Sequence, residues 1–201
     1  PTHCGKTELA IEINKHFPSK IISVDSVQIY KGANIGSSKP DQEILDKTYH
    51  ALINTLNLED DFSVKDFLNE VSYELNGYRE DLIFVGGTMM YFHSLFNGIS
   101  KLPEKSIKLR KKIEDEAKVE GWKSMHEKLK KIDPDAAKII RDSDSQRILR
   151  ALEVNLLSKV TFSELKSFKE KSVIEDYQKF SFAIVPRCKE TFKNQLKERF
   201  T

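Results

Sequence analysis

Gly5-Lys6-Thr7 is the feature that most restricts what this chain can become. The three residues fill the last positions of a phosphate-binding loop, G-x-x-x-x-G-K-[ST], with Pro1 to Cys4 in the variable four. The opening glycine of that motif would sit just before residue 1. Such a loop works only at a helix N-terminus, where successive backbone N–H groups converge on phosphate oxygens. Lys6 adds a point charge, and the Thr7 hydroxyl is suited to ligate Mg²⁺. The residues that follow fit this demand. Glu8–His16 reads as a helix, with Leu9, Ile11 and Ile13 among polar residues and Pro18 just past its end. Ile21-Ile22-Ser23-Val24 is a short β-branched run, the signature of a buried strand, and it ends at Asp25. Ser63 and Asp66 have capping-box spacing, ahead of a helix with Val64, Phe67, Leu68, Val71 and Leu75 on one face. Leu82–Val85 reads as a second buried strand. It runs into Gly86-Gly87-Thr88, and a helix through Tyr91–Phe96 follows. Strand and helix alternating behind a phosphate loop predict an α/β fold, a P-loop NTPase-like three-layer core with a parallel sheet.

The pattern changes near residue 101. From about Ile107 to about Leu157 only helical periodicity is present. Trp122, Met125, Leu129 and Ile132 share one stripe; Ile148, Leu152 and Leu156 share another. Asp133-Pro134 opens a helix with proline at its first position. The stripes are read as the core of an all-helical insertion. Phe180–Val185 is expected to return as a strand, and Lys189–Phe200 as a helix with Phe192, Leu196 and Phe200 aligned. The predicted organisation is a core over 1–100, the insertion and its return over 101–175, and a core continuation over 176–201.

Charge follows the same division. Residues 1–100 hold 8 Lys+Arg against 14 Asp+Glu, and residues 101–201 hold 25 against 17. Within Lys101–Lys131 there are 11 basic and 6 acidic side chains. A basic half suits a polyanion such as nucleic acid, and it equally suits a solvated lysine-rich helical face. No apolar run approaches the roughly 20 residues a membrane span needs. Cys4 and Cys188 lie in no metal-ligand or C-x-x-C spacing, so free thiols in a reducing cytosol are expected.

Phosphoryl transfer needs an acidic residue at a strand end to hold Mg²⁺ or its water. Leu82–Val85 ends in glycines instead, and the available carboxylate is Asp25, after the earlier strand. The C-terminal strand ends of an open parallel sheet line its ligand crevice, so Asp25 is placed to take a proton from a nucleophile. A turn or helix-cap aspartate is the plainer reading. Gly86-Gly87-Thr88 admits either a tight turn or a close approach of ligand to backbone, with Thr88 offering a hydroxyl.

Four longer stretches carry a resemblance. Ile22–Pro40 (ISVDSVQIYKGANIGSSKP), Phe84–Gly98 (FVGGTMMYFHSLFNG), Gly121–Ala137 and Ser145–Val154 (SQRILRALEV) resemble, in order, blocks of the tRNA dimethylallyltransferases, also called tRNA isopentenyltransferases or the MiaA family. The resemblance covers nearly the whole chain. It implies that the loop holds the diphosphate of dimethylallyl diphosphate rather than ATP. It also implies that the prenyl group passes to the exocyclic amine of the adenosine just 3′ of a tRNA anticodon. Carried over, Thr2, His3, Cys4, Gly5, Lys6 and Thr7 contact the donor, with Thr7 as the Mg²⁺ ligand. Asp25 is the general base, Arg199 stabilises the leaving diphosphate, and Asp25, Ser26, Val27 and Gln28 touch the target nucleotide. Thr88, Arg110, Gln146, Arg147, Ile148, Leu149 and Arg150 become tRNA contacts. Surface pairing, for example with Glu153, is the alternative for Arg147 and Arg150. The implied partners are a tRNA anticodon stem-loop and dimethylallyl diphosphate, with no membrane, for a cytoplasmic monomer using Mg²⁺. The chain departs from the family at Tyr49-His50, where a paired histidine is usual, and at Lys189 and Gln195, where arginine is frequent. The resemblance also implies a strand before the loop and further chain after Thr201. An adenylate isopentenyltransferase, a P-loop small-molecule kinase and a non-enzymatic RNA-binding protein are the alternative readings.

Overall fold

The helix that leaves the loop spans Lys6–His16 (α1) in the computed structural model, which describes residues 4–186 and 188–198. Gly5 precedes it with φ +74°, a left-handed conformation that favours glycine and turns the chain into the helix. The chain then runs into a strand at Ser19–Val24 (β1), a helix at Gln42–Lys47 (α2) and a short strand at His50–Ala51 (β2). Helix Val64–Leu75 (α3), strand Asp81–Gly86 (β3) and helix Met89–Asn97 (α4) follow. The three strands form a parallel sheet in the order β2-β1-β3, with Ile21 opposite both His50 and Ile83 and Val24 opposite Gly86. Neither α2 nor β2 was expected from the sequence.

β1 lies between two neighbours, and Ile21, Ile22 and Val24 are fully buried. Each contributes about 1.5–3 kcal/mol by leaving water. β3 was expected to be buried as well, but it is only half-buried. Among the described residues it pairs with β1 alone. Its close fit to β1 depends on Gly86, where an added Cβ would lie 2.1 Å from the Val24 carbonyl oxygen. α1 packs on β1 and β3, and α3 packs on α4, with the Phe67 and Tyr91 rings stacked at 4.4 Å. The α3 capping box is formed in both directions between Ser63 and Asp66.

Helices Ile107–Glu120 (α5), Trp122–Ile132 (α6), Pro134–Ile139 (α7), Ser145–Leu157 (α8) and Phe162–Ser167 (α9) build a second unit, Gly98–Lys171. The first unit is Pro1–Asn97 with Ser172–Thr201. Met125, Leu129, Ile148 and Leu152 are buried in the helical core. The two expected stripes end earlier than their periodicity suggests: Ile132 and Leu156 are exposed, because each lies in the last turn of its helix, past the core. Asp133 caps α7 through the Ala136 N–H at 3.0 Å and also accepts from the Ser163 N–H and Oγ–H at 2.9 and 2.6 Å.

Glu153 is completely buried in this unit. It accepts from the Ser106 N–H at 2.7 Å, from Arg110 Nε at 3.2 Å and from Arg150 Nη1 at 2.6 Å. Burial pushes its carboxyl up, but the bonds from Arg150, Ser106 and Arg110 outweigh that and hold it below its ordinary value of 4.5.

After Ser172 the expected strand over Phe180–Val185 does not form. Phe180, Phe182 and Val185 are exposed and pair with no strand among the described residues. An apolar, β-branched run has strand propensity, but a strand exists only where a neighbour completes the ladder. The last helix spans Lys189–Glu198 (α10). The Leu196 side chain, Phe200 and Arg199 lie outside the described residues. No helix among those described is long and apolar enough to cross a membrane.

Two substitutions follow from this packing. Gly86→Ala should destabilise the first unit by about 1–3 kcal/mol or more, since a backbone carbonyl cannot move aside as a side chain can. Denaturant melts of the two proteins measure this directly. For Glu153 the lowered folded pKa means a stabilising contribution that is present above the unfolded value and lost as pH falls through the folded one. Stability should therefore decline on acidification below about 4.3, and Glu153→Gln should be less stable at pH 7 with a flatter acid limb. An unchanged limb would show that Glu153 is not the group being titrated.

Candidate active site

Asp25 follows the last residue of β1, and register sets its neighbours. Val24 pairs with Gly86, so Asp25 and Gly87 leave the sheet side by side. The N–H groups of Gly87 and Thr88 both donate to the Val24 carbonyl at 3.2 Å, folding Gly86-Gly87-Thr88 into a tight turn over the strand end. Thr88 Oγ1 in turn accepts from the Ser26 N–H at 3.0 Å, which binds the two strand ends together.

A cavity of about 630 Å³ opens at these strand ends. Cys4, Gly5, Lys6 and Thr7 line it, as do Asp25, Gln28, Gly86 and Gly87. Ile184 and Val185, from the segment expected to be a strand, form part of its wall together with Pro186 and with Phe192 of α10. The cavity therefore brings together the described part of the loop, the carboxylate and the glycine turn.

Asp25 is held as a turn aspartate: Oδ1 accepts from the Val27 N–H at 2.9 Å and from the Gln28 N–H at 3.3 Å. Oδ2 makes no hydrogen bond among the described residues. The two readings of this residue are compatible, because one oxygen fixes the side chain and the other is left for a ligand. Ser26 and Val27 are exposed on the turn, and Thr88 is half-buried; none of the three lines the cavity.

Gln28 is already engaged within the protein. Its Oε1 accepts from Ser23 Oγ at 3.0 Å, and its Nε2 donates to the carbonyls of Ser38 and Ser37 at 2.9 and 3.3 Å. Lys39 also lines the cavity, and its Nζ donates to the Tyr30 carbonyl and Asn54 Oδ1, both at 2.7 Å, and to Asn34 Oδ1 at 3.3 Å. Partial burial lowers its pKa from the ordinary value of 10.5. Gln28 and Lys39 are thus the ties that hold the 30–40 segment as a cavity wall. Neither Lys39 nor His50, a second cavity residue, was singled out from sequence as a site residue. Only their surroundings distinguish them from ordinary polar side chains.

The residues assigned to RNA from sequence divide sharply in the helical unit. Ile148 and Leu149 are core side chains, 0% and 1% exposed, and offer no side-chain surface to a polyanion. Arg110 and Arg150 converge on buried Glu153, and Arg150 Nη2 also donates to the Pro103 carbonyl at 2.6 Å. Gln146 and Arg147 are exposed in the first turn of α8, where Arg147 pairs with Asp144 at 3.4 Å. Thr2, His3 and Arg199 lie outside the described residues.

Comparison with known proteins places this geometry in a family. A family model described as IPP transferase matches residues 28–201. The tRNA dimethylallyltransferase of Vesicomyosocius okutanii subsp. Calyptogena okutanii (strain HA) is 45% identical over 193 residues, covering 94% of this chain and 63% of that protein. The chain thus spans less than two thirds of the length of that curated relative. The full-length tRNA isopentenylpyrophosphate transferase from Bacillus halodurans is 31% identical over 79% of this chain and 54% of its own, with a TM-score of 0.47. A eukaryotic dimethylallyltransferase solved acting on tRNA is 24% identical, covers 84% of this chain and 43% of its own, and superposes with a TM-score of 0.69, which shows a shared fold. The match over residues 28–201 and the 45% identity together establish that this chain belongs to the IPP transferase family.

Proposed function

We propose that this chain serves the transfer of a dimethylallyl group from dimethylallyl diphosphate to the N6 amine of the adenosine 3′-adjacent to a tRNA anticodon, with release of diphosphate. The observation that carries this reading is the single cavity lined by Gly5-Lys6-Thr7, by Asp25 and by Gly86-Gly87. The family and the relatives named for this reaction support it. The sheet with α1 behind the loop supports a P-loop-like, three-layer arrangement of the core. A 101–175 insertion reading tRNA, a monomeric enzyme and a cytoplasmic location belong to the same proposal.

The chemistry follows from where charge moves. The adenine amine is a poor nucleophile because its lone pair is delocalised into the ring. As nitrogen bonds to the allylic carbon, that carbon's bond to the diphosphate oxygen breaks and an N–H proton must leave. Asp25 takes that proton on its open oxygen while the turn N–H groups hold the other. The diphosphate gains charge as it departs, and Gly5, Lys6 and the start of α1 are placed to stabilise it. Arg199 is assigned to the same task.

Among the described residues no group of three or more His, Cys, Asp or Glu forms a cage for a metal ion. Mg²⁺ does not require one, since it commonly takes one or two protein oxygens and completes its shell with substrate phosphates and water. The half-buried Thr7 hydroxyl in the cavity wall fits that role. When bound, Mg²⁺ would neutralise diphosphate charge. For RNA, the exposed Gln146 and Arg147 remain the supported contacts of α8, whereas Arg110 and Arg150 act through the shape they give this unit.

The test uses the full-length protein, labelled dimethylallyl diphosphate, and bulk tRNA, AMP and ATP as separate partners. Label should enter tRNA; entry into AMP would favour the adenylate enzyme, and ATP turnover with a small acceptor the kinase. Asp25→Asn should bind both substrates within a few-fold of wild type while its single-turnover rate drops about 10²–10⁴-fold. A fast Asp25→Asn enzyme with weakened tRNA binding would make Asp25 a recognition residue instead.

A further inference from the structure

The donor in the proposed reaction carries a hydrocarbon tail as well as a diphosphate. The diphosphate belongs at the phosphate loop, and the carbon under attack must face the amine beside Asp25. The rest of the tail gains most by lying against a part of the cavity wall that is itself apolar.

Bonding singles out one such part. Asp25 Oδ1 accepts from the Gln28 N–H at 3.3 Å, and the Gln28 carbonyl accepts from the Asn54 N–H at 3.2 Å. Ile53 therefore stands one residue from a direct chain of bonds to the carboxylate. It lines the cavity, as does half-buried Ile44 of α2. The polar side chains of this wall are already bonded to protein. Ser23 donates to Gln28, Gln28 to the carbonyls of Ser37 and Ser38, and Lys39 to Tyr30, Asn34 and Asn54. What the wall presents to a ligand between them is the hydrocarbon of two isoleucines.

The backbone around Ile53 is held in an unusual form. Leu52 and Asn54, on either side of it, are non-glycine residues at positive φ, 62° and 55°. Such conformations cost energy and persist where the surroundings enforce them. Here Asn54 is held through its N–H by Gln28 and through Oδ1 by Lys39 Nζ at 2.7 Å. Ile53 keeps 9% of its surface open, at a position that the backbone does not let shift. A second apolar stretch of the wall, Ile184 to Pro186 with Phe192, has no bond to the Asp25 turn among the described residues.

Resting on the proposed prenyl transfer, we infer that Ile44 and Ile53 form the wall on which the donor's dimethylallyl tail packs, and that they limit the length of the tail. A wall fixed before the ligand arrives discriminates by size, because it neither closes on a shorter tail nor retreats from a longer one.

The test measures binding of diphosphates to the full-length protein by titration calorimetry with Mg²⁺ and without RNA. Methyl diphosphate serves as the reference, since it has the charge of the donor and almost none of its tail. Ile44→Ala and Ile53→Ala should each weaken dimethylallyl diphosphate by about 4- to 15-fold, the loss of one or two buried methylene contacts, and leave methyl diphosphate unchanged. The double variant should narrow the preference of the wild type for dimethylallyl over the longer geranyl diphosphate. Ile53→Phe should weaken dimethylallyl diphosphate and spare methyl diphosphate. Binding of methyl diphosphate also reports that a variant is folded, and Ile44, half-buried on α2, carries the test if Ile53→Ala is not. Equal weakening of both diphosphates would mean a structural role and overturn the inference. So would an unchanged ratio between them, or a ratio that responds to Phe192→Ala and to neither isoleucine. A wild type that binds the donor through these residues but transfers no label to RNA defeats the proposed function and leaves the tail wall standing. One that prenylates RNA while the ratio ignores both isoleucines defeats only the tail wall.

Discussion

The parallel pairing of β1 with β3 is the constraint on which the site depends. Its register places Val24 against Gly86, and the absence of a side chain at Gly86 lets the two backbones come close enough for one carbonyl to accept from two successive N–H groups. That contact fixes where Asp25 leaves β1 and where the glycine turn lies beside it. A one-residue slip would turn every side chain of β1 to the other face, sending Asp25 away from the loop and Ile22 and Val24 out of their layer. The burial of β1 thus maintains the arrangement of the cavity as well as the fold, since the same register serves both.

The helical unit has a different organising element. A carboxylate with no exposure would be unfavourable alone, and Glu153 is tolerable only because two guanidinium groups and a backbone N–H converge on it. The cluster ties the start of α5 to the middle of α8. Its effect is on the shape of the unit. The run SQRILRALEV reads as a basic recognition stretch, yet the fold gives Arg150 to Glu153, buries Ile148 and Leu149, and leaves Gln146 and Arg147 outside. Basic residues at helical spacing do not all face a ligand, because 3.6 residues per turn distributes them around the axis.

Much of the first unit was legible in the sequence because its signals are local. The glycine before α1, the Ser63–Asp66 box and the β-branched run of β1 each act within a few residues. What the sequence did not disclose depended on neighbours. Among the described residues Phe180–Val185 has the composition of a strand but no ladder to join, and β3 has only one partner, which leaves it half-exposed. Ile132 and Leu156 keep the period of their stripes but extend past the core that would bury them. β2 is two residues long and carries no pattern of its own; it exists because β1 offers it an edge. Asp25 was legible as a strand-end carboxylate, but not the division of its two oxygens between turn and cavity. Gln28 was assigned to the target nucleotide and Lys39 to no role; their bonds show both holding a wall in place.

That wall has a consequence for how the cavity can work. Gln28, Lys39 and Ser23 are each committed to protein partners, so the segment over residues 30–40 is set before any ligand arrives. Preorganisation of this kind places the ordering cost in folding rather than in binding. At the strand end, one oxygen of Asp25 is held by the turn and the other is left for a ligand. A ligand that places a donor at that oxygen satisfies it, and one that lacks a donor leaves an acceptor unmet, a penalty that falls on the wrong ligand rather than a reward given to the right one. The loop at Gly5-Lys6-Thr7 selects for negative charge in the opposite sense. Loop and carboxylate line one cavity whose arrangement the register of β1 enforces, so their spacing is set by the core rather than by a ligand.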